Sequence, residues 1–383
     1  MSRRYSTVVQ IGVKMNLIQQ NFSLNRKNVL SGPSTQSEHG SVQTVDNCGP
    51  TIAASLSGHR FTSVFSSEPW IEVLKATYGF NIKASTRVQG DGTRAAIFYC
   101  EISDIRGERV VSLPFSDYCD AVVESEAQWQ ELNAPIIGLQ VPIRFRTVFN
   151  DVPHLDRRFN QEVCALWHGV DLRRPENELW NNLKDTARRN IRRAQRHGVT
   201  IREGNTIDDV QTFYRLHCHV RKSKYRLLAQ PFSFFENIHA GFVPDDRITV
   251  LLAELDGVAI AGILFLVHRD ILYYKFNAST EMEFRPNDLL AWSGILLGRS
   301  RGLARLDFGL SDLAQPGLIA FKRKFATDEK NILEMRWSPI GHLNSQTSET
   351  AKVLSNLTQI LTAPEVPDSV ANASSELLYR YFC

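Results

Sequence analysis

Several sequence signatures are missing from this chain, and each absence removes a class of chemistry. There is no Gly-x-x-x-x-Gly-Lys loop, no Gly-x-Ser-x-Gly elbow, no His-Glu-x-x-His pair and no Ser-His-Asp order. P-loop, serine-hydrolase and zinc-protease readings therefore have no motif to stand on. The six cysteines, Cys48, Cys100, Cys119, Cys164, Cys218 and Cys383, form no Cys-x-x-Cys pair. Scattered through apparent strands and helices, they read as reduced, mostly buried thiols of a cytoplasmic protein. No run of about 18 apolar residues exists, because Glu254, Asp256 and Gly257 interrupt Leu251 to Val267. Arg3 and Arg4 are followed by no apolar stretch of signal-peptide length. An excess of charge is lacking too: 44 Lys and Arg stand against 41 Asp and Glu, a net of +3. Any anionic partner must then be met by a local patch.

At 383 residues the chain is long enough for two or three domains. Residues 1–60 are polar and aperiodic, and Ser31 to Gly40 reads as a flexible leader. Ser67 and Gly79 bracket a first helix. A hairpin with its turn at Gly90-Asp-Gly92 follows, then an apolar run to Asp117, a helix over Glu124–Asn133, and strands near Ile136–Arg146 and Glu162–Leu172. Pro175 to His197 reads as one long helix closed by Gly198, and Pro231 to His239 as a further helix.

The most informative stretch is Ile248 to Asp328. Two apolar runs flank Asp256-Gly257, a dipeptide suited to a type I′ hairpin because both central residues need positive φ. A third run, Ile271–Ala278, precedes a helix that starts near Pro286 and stops at Gly302. A short strand over Ala304–Phe308 and a helix over Pro316–Phe325 come next, and Ile332–Trp337 is placed as the strand completing this unit. Three meandering strands, a helix, a strand and a helix make the order of a GNAT-type acyltransferase core.

The residues Tyr274-Lys275, Pro286 to Trp292, Asp307 to Asp312, Gly317 to Phe325, the basic helix at Ala187–Val199 and Val111 to Asp117 resemble the FemAB family. The resemblance covers roughly Trp70 to Pro339. It implies an α+β fold of two tandem GNAT-like domains, each a mixed, mostly antiparallel sheet flanked by helices. The divisions would be a leader over 1–60, a first domain over 61–174, a basic connecting helix over 175–198, a second domain over 199–340, and a tail over 341–383 that returns to the first domain. It also implies transfer of an aminoacyl or acyl group to an amine of a cell-envelope or exopolysaccharide precursor. Two alternatives stay open: a CoA-dependent N-acetyltransferase, and a non-catalytic module binding RNA or a phosphorylated glycan on degenerate GNAT domains.

Candidate site residues come from three clusters. Arg188, Arg192 and Arg196 share one helical stripe, with Arg189 and Arg193 on the next. Such a ladder of like charges calls for anionic company, and guanidinium forks match phosphates. Lys222, Lys224 and Tyr225 read as cleft-lining; the nearby His217-x-His219 pair points in two directions on a helix and makes a poor metal site. In Gly317 to Phe325, Phe321 and Lys322 match a Phe-Lys pair that the family uses at the donor's aminoacyl end, which gives Lys322 a charge-stabilising role. Tyr274, Lys275 and Asn287 complete the expected binding set, and Asp312, Asp307 and Tyr274 are candidate proton carriers. Between Ile271–Ala278 and Pro286, where acyl-CoA users carry a glycine-rich loop, Ser279 to Asn287 has no glycine and two glutamates. No cofactor is expected. The donor would be aminoacyl-tRNA or acyl-CoA, the acceptor a phosphorylated or nucleotide-linked precursor.

Overall fold

The computed structural model describes residues 42–45, 50–88, 94–342 and 345–383. In the first half, β1 (Gln43–Val45), α1 (Pro50–Leu56) and α2 (Glu68–Tyr78) precede the strands β2 (Ile82–Val88), β3 (Arg94–Asp104) and β4 (Gly107–Val111). Then come α3 (Glu126–Ile137), β5 (Ile143–Thr147) and β6 (Asn160–Asp171). Next are α4 (Glu176–Asn182), α5 (Asp185–Arg196), β7 (Thr200–Gly204), α6 (Ile207–Ser223) and α7 (Phe232–Phe242). The meander β8 (Ile248–Leu255), β9 (Val258–His268) and β10 (Ile271–Ser279) leads to α8 (Pro286–Ser300) and β11 (Arg305–Asp312). The chain closes with α9 (Pro316–Lys322), β12 (Asp328–Trp337), α10 (Ser345–Leu361) and α11 (Asp368–Leu378).

The two halves repeat one plan: an antiparallel three-strand meander, a crossover helix, and a strand that returns parallel to the last meander strand. β4 thus pairs in parallel with β5, and β10 with β11. The turn between β8 and β9 is the predicted one, with Asp256 at φ 52° and Gly257 at φ 77°. α8 starts at Pro286, whose missing N–H costs nothing in the first helical turn. On one face of the second meander α5 and α8 bury Ala187, Ile191, Leu290 and Ile295 against Ile263, Phe265 and Leu272. On the other face α6 and α7 bury Phe213, Phe234 and Phe235 with Trp70 of α2.

One sheet holds all twelve strands found among the described residues, in the order β1-β2-β3-β4-β5-β12-β6-β11-β10-β9-β8-β7. The strand predicted to complete the second half, β12, instead lies between β5 and β6. β6, which leaves the first half, pairs with β11 of the second. Each half therefore receives its closing strand from the other. An amphipathic pattern says that a strand exists but not which edge it joins.

Other predictions also need correction. The helix predicted over Pro175–His197 breaks at Leu183 and Lys184, which are extended (ψ 140° and 145°). The break lets Leu179 and Leu183, as well as Ala187, Ile191 and Ala194, all face the core, and Lys184 N–H donates to Lys324 O (3.1 Å). The helix predicted to end at Asn133 runs to Ile137 and carries Pro135 in its last turn, at the cost of the hydrogen bond an N–H there would make to the Glu131 carbonyl; the following strand starts only at Ile143. Within the stretch read as a leader, Gln43–Val45 pairs with β2 and α1 buries Ile52 and Leu56. Ser31–Gly40, Cys48 and the Gly90–Gly92 turn lie outside the described residues. No helix among the described residues is long and apolar enough to cross a membrane.

Candidate active site

The site arises where parallel pairing fails. β10 and β11 are paired only from Ile271↔Arg305 to Tyr273↔Asp307. Beyond that level each strand is irregular: the register of β10 shifts between Tyr274 and Phe276, and that of β11 between Asp307 and Leu310. A bulge adds one residue and turns the strand. Here the two bulges carry Lys275 and Gly309, at the level where the strands part. The opening is a cleft of about 860 Å³.

The corresponding opening between β4 and β5 is closed by the chain itself. After Val111↔Arg144, Ser112 N–H donates to Arg144 O (2.9 Å) and Cys119 N–H to Arg146 O (2.9 Å). The loop that fills this gap, residues 112–119, carries Asp117 into the open cleft of the second half. Asp117 Oδ1 accepts from Lys275 Nζ (2.8 Å), and Oδ2 accepts from Leu310 N–H (3.1 Å). A Cβ on Gly309, which has φ +67°, would lie 2.2 Å from Asp117 Oδ2. The glycine satisfies both the left-handed backbone and the close approach.

Lys275 is buried to 5% side-chain exposure, with Nζ 4.6 Å from the Phe65 ring centre and 5.0 Å from that of Trp70. Lys322, 3% exposed on α9, donates to Gly309 O (3.2 Å) and Leu310 O (2.7 Å). Two of its three donors are thus used by the bulge. Burial pushes its ammonium down to about 8; Asp117 and Asp307 pull it back up, and Lys275 pushes it further down. Burial also raises Asp117, but Lys275, the Leu310 N–H and Lys322 outweigh that and hold its carboxyl below the usual range.

The cleft is lined by Lys322, Phe321, Asp312, Tyr274, Lys275, Asn287 and Tyr225 from the predicted set. Asp312 is an exposed rim residue whose Oδ1 accepts from Ala314 N–H (2.7 Å). Burial pushes the Tyr274 phenol far up, and its ring packs on Phe265 and Phe308. Asn287 Oδ1 accepts from Asn277 (3.2 Å). Tyr225 is half exposed beside Lys224.

The remaining predicted residues lie elsewhere. Lys222 is not in the cleft; its Nζ is 2.6 Å from Asp368 and bonds Val366 O, which tethers the tail. Arg188 is occupied by Asp185 and by the carbonyls of Trp180 and Asn181 at the end of α4. Arg189 and Arg192 line, with Asn190, Arg193 and Arg196, a separate shallow depression of about 420 Å³ on α5. One link joins it to the cleft: Asn190 bonds Asp288 (3.1 Å), the neighbour of Asn287. His217 turns inward to Gln230 (2.8 Å) while His219 is exposed, so the pair does not converge.

Residues 181–323 match a family profile described as an acetyltransferase (GNAT) domain. A search among curated proteins by sequence finds no match. Among solved structures, FemX is similar at 16% identity and TM-score 0.60, over 84% of this chain and 100% of that one. The chain has a FemAB-like GNAT fold. L-PGS from Bacillus licheniformis is similar at 13% identity and TM-score 0.54, over 80% of this chain and 97% of that one. The C-terminal domain of a putative lysylphosphatidylglycerol synthetase from Agrobacterium fabrum is similar at 14% identity and TM-score 0.50, over 74% and 91%.

Sequence reasoning misses several residues of this cleft. Asp117 is one, although the run ending in it carries part of the resemblance; a carboxylate closing an apolar loop was the available signal. Arg146, held by Glu334 (3.3 Å), and Gln230 also line the cleft. So do Tyr379 and Phe382, from the far end of the chain, and nothing in their local sequence marks them.

Proposed function

We propose that this protein transfers an aminoacyl or acyl group from an activated donor to an amine, within the cleft between β10 and β11. The observation that carries the reading is Lys322: a nearly water-free ammonium seated by two carbonyls at the wall of an open cleft. The amine nitrogen attacks the donor's carbonyl carbon, a C–N bond forms, and the carbonyl oxygen becomes an oxyanion. A preorganised cation gains strength as that charge grows. The oxyanion then collapses and expels the donor's oxygen or sulfur as an alkoxide or thiolate, which ends as the free hydroxyl or thiol by taking up the proton the amine has given up. The proton leaving the amine goes to Asp312 at the rim, because Asp307 does not line the cleft and the Tyr274 phenol is far from ionising.

The donor reading is an aminoacyl ester on RNA rather than a CoA thioester. Between β10 and α8 the chain forms a short turn, Met282–Phe284, flanked by Glu281 and carrying Glu283. α8 then begins with Pro286, which has no N–H to offer a diphosphate. The arginines of α5 supply an anion-binding face outside the cleft, which suits a long polyanion whose reactive end enters the cleft. The acceptor reading is an amine on a cell-envelope or exopolysaccharide precursor, phosphorylated or nucleotide-linked. It draws on FemX and on a neighbour named as a putative lysylphosphatidylglycerol synthetase.

Purified protein given pooled aminoacyl-tRNA and envelope precursors should produce precursors heavier by one aminoacyl residue in mass spectra, and acetyl-CoA should neither substitute nor bind in calorimetry. Transfer from acetyl-CoA alone would overturn the donor assignment. For the α5 face, Arg189→Ala with Arg193→Ala should weaken RNA binding and flatten its salt dependence, since each lost phosphate contact removes a counterion-release contribution. Thermal stability should change little, because exposed charges contribute little to it. A salt slope equal to wild type would make the helix only a solvated basic face.

A further inference from the structure

Asp307 is a buried carboxylate with no direct part in the chemistry above. It is 2% exposed, ends the paired segment of β11, and does not line the cleft. Both of its oxygens are occupied at short range. Oδ2 accepts from the Tyr118 hydroxyl (2.6 Å) and Oδ1 accepts from Gly309 N–H (2.6 Å). Gly309 in turn offers its carbonyl to Lys322. The contacts form a chain from Tyr118 in the first half, through Asp307 and the Gly309 bulge, to the lysine at the cleft wall.

A carboxylate that merely pins a turn is common. The surroundings here ask for more. The charged groups facing Lys322 are Asp117 from the loop after β4, Lys275 from β10 and Asp307 from β11, with His168 of β6 close enough to feel its charge. His168 is itself paired with Glu329 of β12 (2.9 Å). Two ammonium groups thus face two carboxylates in a site with little water. If one carboxylate is removed, the positive charges are left in excess, and the easiest relief is loss of a proton from Lys322. An amide at position 307 would also lose one of the two acceptor sites, because its nitrogen cannot accept from Tyr118.

We propose that Tyr118 and Asp307 are positioning residues: they fix the bulge that seats Lys322 and supply the second negative charge that keeps it an ammonium. The role rests on the reading of Lys322 as the group that stabilises the oxyanion, but its main test does not use the reaction.

The test is the titration of Lys322 in the full-length protein without substrate. Competitive labelling of amines with acetic anhydride across a pH series, read by peptide mass spectrometry, follows that lysine directly. Asp307→Asn should move the Lys322 titration to lower pH by about one unit or more. Tyr118→Phe should move it in the same direction by less, because Asp307 then holds its proton more readily. It also serves as the informative variant if Asp307→Asn does not fold. In the transfer assay the alkaline limb of kcat should shift with the titration while KM stays near wild type. A Lys322 titration unchanged in folded Asp307→Asn or Tyr118→Phe overturns the proposal. If the titration shifts as expected but Lys322→Met retains full turnover, the positioning stands and the catalytic reading of Lys322 falls.

Discussion

Lys322→Met should leave a folded protein whose turnover is lower by about two to three orders of magnitude. Removing one preorganised donor to a developing oxyanion typically costs about 2.7–4 kcal/mol of transition-state stabilisation. The stability change should be smaller, on the order of 1–3 kcal/mol. Two hydrogen bonds to the Gly309 and Leu310 carbonyls are lost, but so is the cost of keeping an ammonium out of water. Lys324 is no fair control: it contacts Asp288 and lies over the Phe321 ring. Lys352, exposed on α10, is the suitable one. The pH dependence adds a check with opposite signs. The ammonium is the active form, so wild-type kcat should fall as pH rises through about 8. Stability should do the reverse. Folding lowers this lysine from its ordinary 10.5, so between about 8 and 10.5 the unfolded chain binds more protons and stability rises with pH. A rate that climbs through pH 8 would instead make neutral Lys322 a base. Unchanged turnover in Lys322→Met, from a chain that still binds its ligands, would leave a binding module on a GNAT scaffold.

Asp117→Ala should be the most destabilising single change at the site, by about 3–5 kcal/mol in chemical denaturation. Truncating one partner of a buried ion pair leaves the other uncompensated, and that is costly even where the pair itself adds little. Lys275 would remain buried against the Phe115 carbonyl (3.3 Å) and the rings of Phe65, Trp70 and Phe276. Adding Lys275→Met should recover much of the stability, because the orphaned charge goes with it. It should not recover full turnover, since of the two carboxylates facing Lys322 only Asp307 then remains and the Leu310 N–H beside its seat has lost its acceptor. Asp117→Ala as stable as wild type would show that solvent reaches Lys275 freely and that the pair does not hold the cleft.

The legible parts of this molecule are those set by local chemistry. Asp256-Gly257 states its turn through the positive φ both residues tolerate, and Pro286 and Gly302 bracket α8 through a missing N–H and a left-handed cap. Phe321 and Lys322 are readable because resemblance points at them. What is illegible depends on contacts distant in sequence. Leu183 and Lys184 look like good helix residues; the break there follows from a carbonyl at Lys324 and from the need to bury two apolar faces at once. Asp117 and Lys275 are 158 positions apart, and no periodicity announces a pair. The arginines of α5 are visible as a ladder, but their distance from the cleft is not, and Arg188 turns out to serve the end of α4.

The exchange of β6 and β12 sets the order in which the molecule can be completed. β5 has β4 on one side as soon as the first half is made, but its other neighbour is the segment Leu333–Trp337. β6 emerges with both flanking strands still unsynthesised. On the ribosome, the first half therefore waits with one open sheet edge, and with it the loop bearing Asp117 waits for Lys275. Contacts this far apart in sequence close slowly and leave unpaired edges exposed meanwhile. The first half is thus finished last: translation must pass Trp337 before its part of the sheet is whole, although β6 already flanks β11 once Asp312 is made.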